Sequence, residues 1–174
     1  MQYLHHYYKS RPLLISLITL TAAVLLPVTI HLAPPVQGTP LGAILLPMFY
    51  VPLIALVLLG KTPALAAAAL SPALNFLISG NDQWSLMLLL TLELVFFTLS
   101  LAYLKNRLGT GWAVLPSLLV AKLIGAAALV WLQYASLSPV DYFLGSLSRG
   151  WAGAVVLIVL GFVVAGTSRD HRRD

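Results

Sequence analysis

Apolar residues in this chain gather into six long runs instead of alternating along it. The runs cover about 13–31, 41–59, 63–79, 85–104, 112–134 and 141–166, and short stretches rich in Pro, Gly, Asn, Asp or charge separate them. A helix needs about 20 apolar residues to cross the hydrocarbon core of a bilayer. The pattern therefore predicts an all-α integral membrane protein, a six-helix transmembrane bundle forming one domain over residues 1–174. The second run contains Pro47 and Pro52, each lacking a backbone donor, so a kinked or broken helix is expected there. Its freed carbonyls must then be buried against protein or cavity water. The first run follows Lys9 and Arg11, as the apolar part of a signal peptide follows its basic part. It is of span length, however, and leads through Ile30-His31-Leu32-Ala33 into Pro34-Pro35 without a small-x-small step, so a retained first helix is expected.

Composition agrees with the pattern. The 174 residues are 60% hydrophobic and 9% charged, with a mean hydropathy of +0.94. A soluble domain carries roughly 25% charged residues. A soluble enzyme, a disordered chain and a free nucleic-acid binder are excluded on that ground. The net charge of +5 becomes informative once sorted by position. With the N-terminus cytoplasmic, the inner segments hold Lys9, Arg11, Lys61, Lys105, Arg107, Arg169, Arg172 and Arg173, eight of the ten basic residues. The outer loops hold only Asp82 and Asp141. Basic residues resist translocation, so both termini are expected on the cytoplasmic side of a prokaryotic inner membrane. Nucleic acid is not an expected partner. Cysteine is absent, which removes disulfides and thiolate metal sites.

Three ionisable residues have no topological reason to be where they are. Glu93, Lys122 and Arg149 fall within runs four, five and six. Each costs about 2.5 to 3.5 kcal/mol at a span centre on insertion scales. Helical rise places Glu93 and Arg149 roughly 12 Å below the outer face and Lys122 roughly 15 Å in from the inner face. One acid and two bases on three helices thus share the middle-to-outer layer. One reading is a buried ion pair that orients helices, Glu93 with Arg149 or Lys122. The other is a binding site, because one base is left over and an anionic ligand would supply its missing partner. Lys122 has two further outcomes, deprotonation by desolvation or snorkelling toward the inner face.

Other polar residues are weaker candidates. Asn75, Gln133 and His31 either line the same cavity or make ordinary interhelical hydrogen bonds. Trp84, Tyr134 and Tyr142 stand at outer span ends, where anchoring in the headgroup layer competes with contact to a ligand. His5 and His6 lack the further ligands a metal would need. Small residues crowd run three (Ala64, Ala66–Ala69, Ala73), run five (Ala121, Gly125–Ala128) and run six (Gly145, Gly150, Gly153, Ala154, Gly161). They serve either bundle packing or docking of a partner subunit. Gly145 and Gly153 flank Arg149 on one helical face, clearing a stripe for a ligand or for a neighbouring helix. Ser71-Pro72 and Ser79-Gly80 are read as turn or kink chemistry. Nucleophile-elbow, zinc-protease and phosphate-loop motifs are missing, so neither an enzyme nor a cofactor is expected.

The stretch LPMFYVPLIALVLLGKTPALAAAALSPALNFLIS, Leu46 to Ser79, resembles the substrate-binding S components of energy-coupling factor (ECF) vitamin transporters. The matching features are Pro52, Gly60-Lys61, the Ala64–Ala69 tract, Ser71-Pro72 and an outer loop at Gly80-Asn81-Asp82, with Glu93 in Leu92-Glu93-Leu94 beyond them. Two positions depart from that family. Thr19 and Ala23 stand where many members pair two alanines on helix one, and Gly80-Asn81-Asp82 replaces a Gly-x-Pro. The resemblance implies a membrane subunit that captures a micronutrient from outside and works with a T component and two ATPase subunits. It implies ligand contacts at Glu93, Lys122 and Arg149 and on the 32–40 and 80–84 loops. The expected function is capture of a small anionic or zwitterionic vitamin-like solute. The rivals are a non-transporting scaffold, MreD-like, and a self-contained proton-coupled carrier using Glu93.

Overall fold

The computed structural model describes residues 11–80, 82–132 and 138–170. Gln133, Tyr134, Asn81, His5 and His6 lie outside them, as do Lys9, Arg172 and Arg173. The fold is all-α: α1 (Pro12–His31), α2 (Leu41–Leu45), a 3-10 turn (Pro47–Phe49), α3 (Tyr50–Leu58), α4 (Lys61–Ser79), α5 (Trp84–Leu108), α6 (Thr110–Trp131) and α7 (Pro139–Asp170). Among the described residues, five of these helices (α1, α4, α5, α6 and α7) are long and apolar enough to cross a membrane. The chain is accordingly that of a multi-pass membrane protein. Its exterior is apolar, as lipid contact demands: Leu13, Leu17, Leu77, Leu123, Val130 and Val155 are all exposed.

The 41–59 run does not form one helix. It breaks at Leu46, which takes a left-handed conformation (φ 54°, ψ 45°) between α2 and Pro47. A residue before proline is pushed out of the right-handed helical region, and Pro47 has no N–H with which to continue α2. Pro52, by contrast, falls in the first turn of α3, where its missing donor costs no helical bond. One freed carbonyl is accounted for locally: the Tyr50 hydroxyl donates to Leu45 O. Pro72 does not turn the chain either, since α4 runs through it from Lys61 to Ser79.

Packing is sequential and antiparallel. α5 lies along α6, α6 along α7, and α4 contacts α1, α3 and α5. One residue, Gly109, joins α5 to α6, and its backbone (φ 79°, ψ 154°) is one that a side chain would strain. The core centres on Phe49, Leu53, Leu94, Phe97, Leu101 and Leu118. Phe49 and Phe97 meet edge to face with ring centroids 5.0 Å apart. His31, Leu86 and Tyr142 line one cavity, so the end of α1 and the starts of α5 and α7 lie at one end of the bundle. Asp82 and Asp141 beside those starts make it the acidic end. Lys61, Lys105 and Arg107 stand at the opposite, basic end. There Lys105 Nζ donates to Leu56 O at 3.2 Å and satisfies a carbonyl in the last turn of α3.

The glycines of α7 make the break in 41–59 packable. A Cβ on Gly153 would lie 2.5 Å from both Leu45 C and Leu45 O, and one on Gly150 would press the Leu46 side chain at 3.2 Å. The end of α2 therefore beds directly onto the α7 backbone. Further along, Gly161 approaches Gly111 of α6, and Gly111 in turn receives the Phe162 ring. These small residues serve contacts within the chain. We expect Gly153→Ala to destabilise the protein by about 1–3 kcal/mol, because the clash is with main chain that cannot rotate away. Gly166→Ala, with open space around it, should leave the unfolding temperature in detergent unchanged; equal effects of the two would refute the packing role.

Candidate functional site

Glu93, Lys122 and Tyr142 come from α5, α6 and α7 and meet at one point. Lys122 Nζ donates to Glu93 Oε2 at 2.6 Å, and the Tyr142 hydroxyl donates to Glu93 Oε1 at 2.6 Å. Glu93 is 0% exposed and Lys122 5%. The ammonium also sits 5.6 Å from the Phe49 ring centroid and 5.8 Å from that of Tyr142, so aromatic faces complete its surroundings. Gly125, one turn after Lys122, supplies the space for the carboxylate, since a Cβ there would stand 2.3 Å from Glu93 Oε1. Of the outcomes open for Lys122, pairing with Glu93 is the one observed, and the side chain does not snorkel toward the basic end.

Above this pair, toward the acidic end, lies a cavity of about 440 Å³. Its floor and one wall are Lys122, Phe49 and Tyr142. The broken segment contributes Gly42, Leu46, Pro47 and Met48, α5 contributes Leu86 and Leu90, and α7 contributes Ser146 and Arg149. His31 closes the α1 side. Its Nδ1 donates to Pro27 O at 2.7 Å, and its ring fills the space a Gly42 side chain would take. No acid lines this cavity among the described residues.

Arg149 is the cation that Glu93 does not neutralise. Its Nε donates to Gly145 O at 3.1 Å, and the missing Gly145 side chain lets the guanidinium fold back along α7. Among the described residues it forms no ion pair with an acid. Gly145 thus accommodates Arg149 itself, whereas Gly153, the other half of the expected cleared stripe, is covered by Leu45.

The remaining sequence candidates separate. Asn75 is buried on α4, where its Nδ2 donates to Ser71 O at 2.9 Å, and it does not line the cavity. Trp84 is 58% exposed and likewise lies off the cavity wall. Gln133 falls outside the described residues. Tyr142, for which headgroup anchoring and ligand contact were the two readings, reaches the buried carboxylate. Its spacing with Ser146 and Arg149, four then three residues, marks one face of a helix and was readable as such. Phe49 and Met48 had no comparable signal, because the break at Leu46 decides where they point.

The pair is formally neutral, with each ion's desolvation offset by its partner and by the tyrosine hydroxyl. Removing one member leaves a buried charge alone. We expect Lys122→Met to cost about 3–5 kcal/mol, and the double variant Glu93→Gln, Lys122→Met to recover most of it. Thermal unfolding of the parent, the single variants Lys122→Met and Glu93→Gln, and the double variant in one detergent checks this; losses that simply add in the double variant would show that the two residues act independently. No family model matches the chain, and neither a curated protein nor a solved structure matches it.

Proposed function

We propose that this chain is the substrate-binding membrane subunit of an ECF-type importer, capturing a small anionic or zwitterionic vitamin-like solute from outside. The observation that carries the reading is Arg149 on the wall of a largely apolar cavity of about 440 Å³ that no acid lines among the described residues, beside a Glu93–Lys122 pair already closed upon itself. Cavities of roughly 300–1,000 Å³ with apolar walls and few polar groups are the usual form of small-molecule sites. A carboxylate placed there meets a guanidinium able to bind it through two parallel hydrogen bonds. Lys122 adds positive potential from the floor, softened by Glu93. His31 and Ser146 add polar groups to the cavity wall.

In this reading the acidic end faces outward and the basic end faces the cytoplasm, as the distribution of Lys and Arg favours. The resemblance of residues 46–79 to S components supplies the partners, a T component and two ATPase subunits. The chain has no phosphate-binding loop of its own, so energy for uptake would come from them. A proton-coupled carrier is the second reading, favoured by the full burial of Glu93 next to the cavity. Uptake by such a carrier would collapse with the proton gradient and require no ATPase.

Purified protein screened against water-soluble carboxylate vitamins should show one specific stabiliser, with a shift that grows as RT ln(1 + [L]/Kd). Arg149→Ala should weaken that ligand at least about tenfold, the scale of a lost charge contact. Arg149 is exposed and its described bond is to its own helix, so the variant should unfold at the parent temperature without ligand. Unchanged affinity in the variant would remove Arg149 from the site, and no response to any vitamin would favour the scaffold.

A further inference from the structure

A second cavity, of about 300 Å³, opens at the basic end between α4 and α5. Lys61, in the first turn of α4, and Arg107, in the last turn of α5, both line it, with Asn106 between them. Among the described residues no acid lines it, so two positive charges and an amide face one space. Lys105, the neighbouring cation, does not line it and donates to Leu56 O. Arg107 is held in place by stacking, its guanidinium carbon 4.9 Å from the Tyr103 ring centroid.

The vertical order of these residues is informative. Arg107, Tyr103 and Leu99 follow one another at four-residue steps down one face of α5, about 6 Å apart in depth. Lys61 and Leu65 repeat the step on α4. From the bundle end inward, the wall therefore runs from cation to amphipathic aromatic ring to leucine. Tyr103 is 60% exposed and Leu99 45%, so the wall continues outward onto the lipid-facing flank. A phospholipid has the same order, with phosphate above, glycerol and ester groups next, and acyl chain below. A free phosphate matches only the top of this gradient.

We infer that this cavity binds the headgroup of an anionic phospholipid, with Lys61 and Arg107 on the phosphodiester, Asn106 on a headgroup hydroxyl, and the acyl chain along Tyr103 and Leu99. Basic pockets between helices at a membrane face are suited to such headgroups. The site lies at the other end of the bundle from the proposed solute cavity and does not depend on that reading.

The test uses the full-length protein, delipidated in non-ionic detergent and equilibrated with equal amounts of phosphatidylglycerol and phosphatidylcholine, with bound lipid counted by native mass spectrometry. Phosphatidylglycerol should be retained at least about tenfold over phosphatidylcholine, and Lys61→Gln or Arg107→Gln should each lower that preference about fivefold. The double variant should abolish it. Arg107→Lys, which keeps the charge, should retain a preference even if the glutamine variants fold poorly. Arg11→Gln removes a cation at the start of α1 that does not line the cavity, and should change nothing. Equal retention of the two lipids, or an equal loss in Arg11→Gln, would overturn the site in favour of diffuse surface charge. Displacement of the lipid by glycerol 3-phosphate at tenfold excess would overturn it in favour of a soluble phosphate ester.

Discussion

The bond on which the rest of this structure depends is the one between Lys122 and Glu93, 2.6 Å long and almost wholly buried. Lipid gives helices no hydrophobic reason to associate, so polar contacts and close packing must hold the bundle together. This contact, with the Tyr142 hydroxyl on the second carboxylate oxygen, ties α5, α6 and α7 at one level. Neither charge can leave without stranding the other in a medium that cannot solvate it. That makes the relative height of the three helices a matter of electrostatics, while the apolar contacts below, around Phe97, Leu94 and Leu118, fill in the shape.

A cavity above the pair exists because the 41–59 segment fails to be a straight helix. The residues around that break, Gly42, Leu46, Pro47, Met48 and Phe49, form one side of the cavity. The turn at Leu46 sets α2 across the α7 backbone at Gly150 and Gly153, and brings Phe49 down against Lys122. The small residues of α7 and the prolines of the second run are therefore two halves of one device. Pro47 stops the helix, and Gly153 gives the stopped end somewhere to lie. A docking role for a partner subunit has correspondingly less of the α7 glycine face to use.

Much of this was legible in the chain, and the failures are physical in kind. Five apolar runs became helices with ends within a few residues of those expected, because span length and flanking Gly and Pro mark ends plainly. Glu93, Lys122 and Arg149 were legible as a group, since each is an ionisable residue where topology needs none. Their division was not. Helical depth puts all three in one layer, but which base the acid takes depends on rotation about helix axes, and periodicity is weak when every face is apolar. Tyr142 stayed open between two roles for a related reason: a tyrosine at a span end satisfies the interfacial rule whichever way it points. Asn75 shows the converse, a buried polar group satisfied by a carbonyl of its own helix.

The cost of burying charge also explains why the two ends of the bundle differ. At the acidic end, the Glu93 carboxylate is spent on Lys122, and the cation left over is Arg149, whose guanidinium can fork onto a carboxylate. At the basic end, Lys105 is tied to a helix carbonyl, while Lys61 and Arg107 remain along a groove that grades into the apolar flank. Each end thus pairs one cation inside the protein and leaves others facing a cavity. The bases at the basic end answer the topology rule, but Arg149 does not, and its place beside a cavity is explained if the missing charge arrives with something bound.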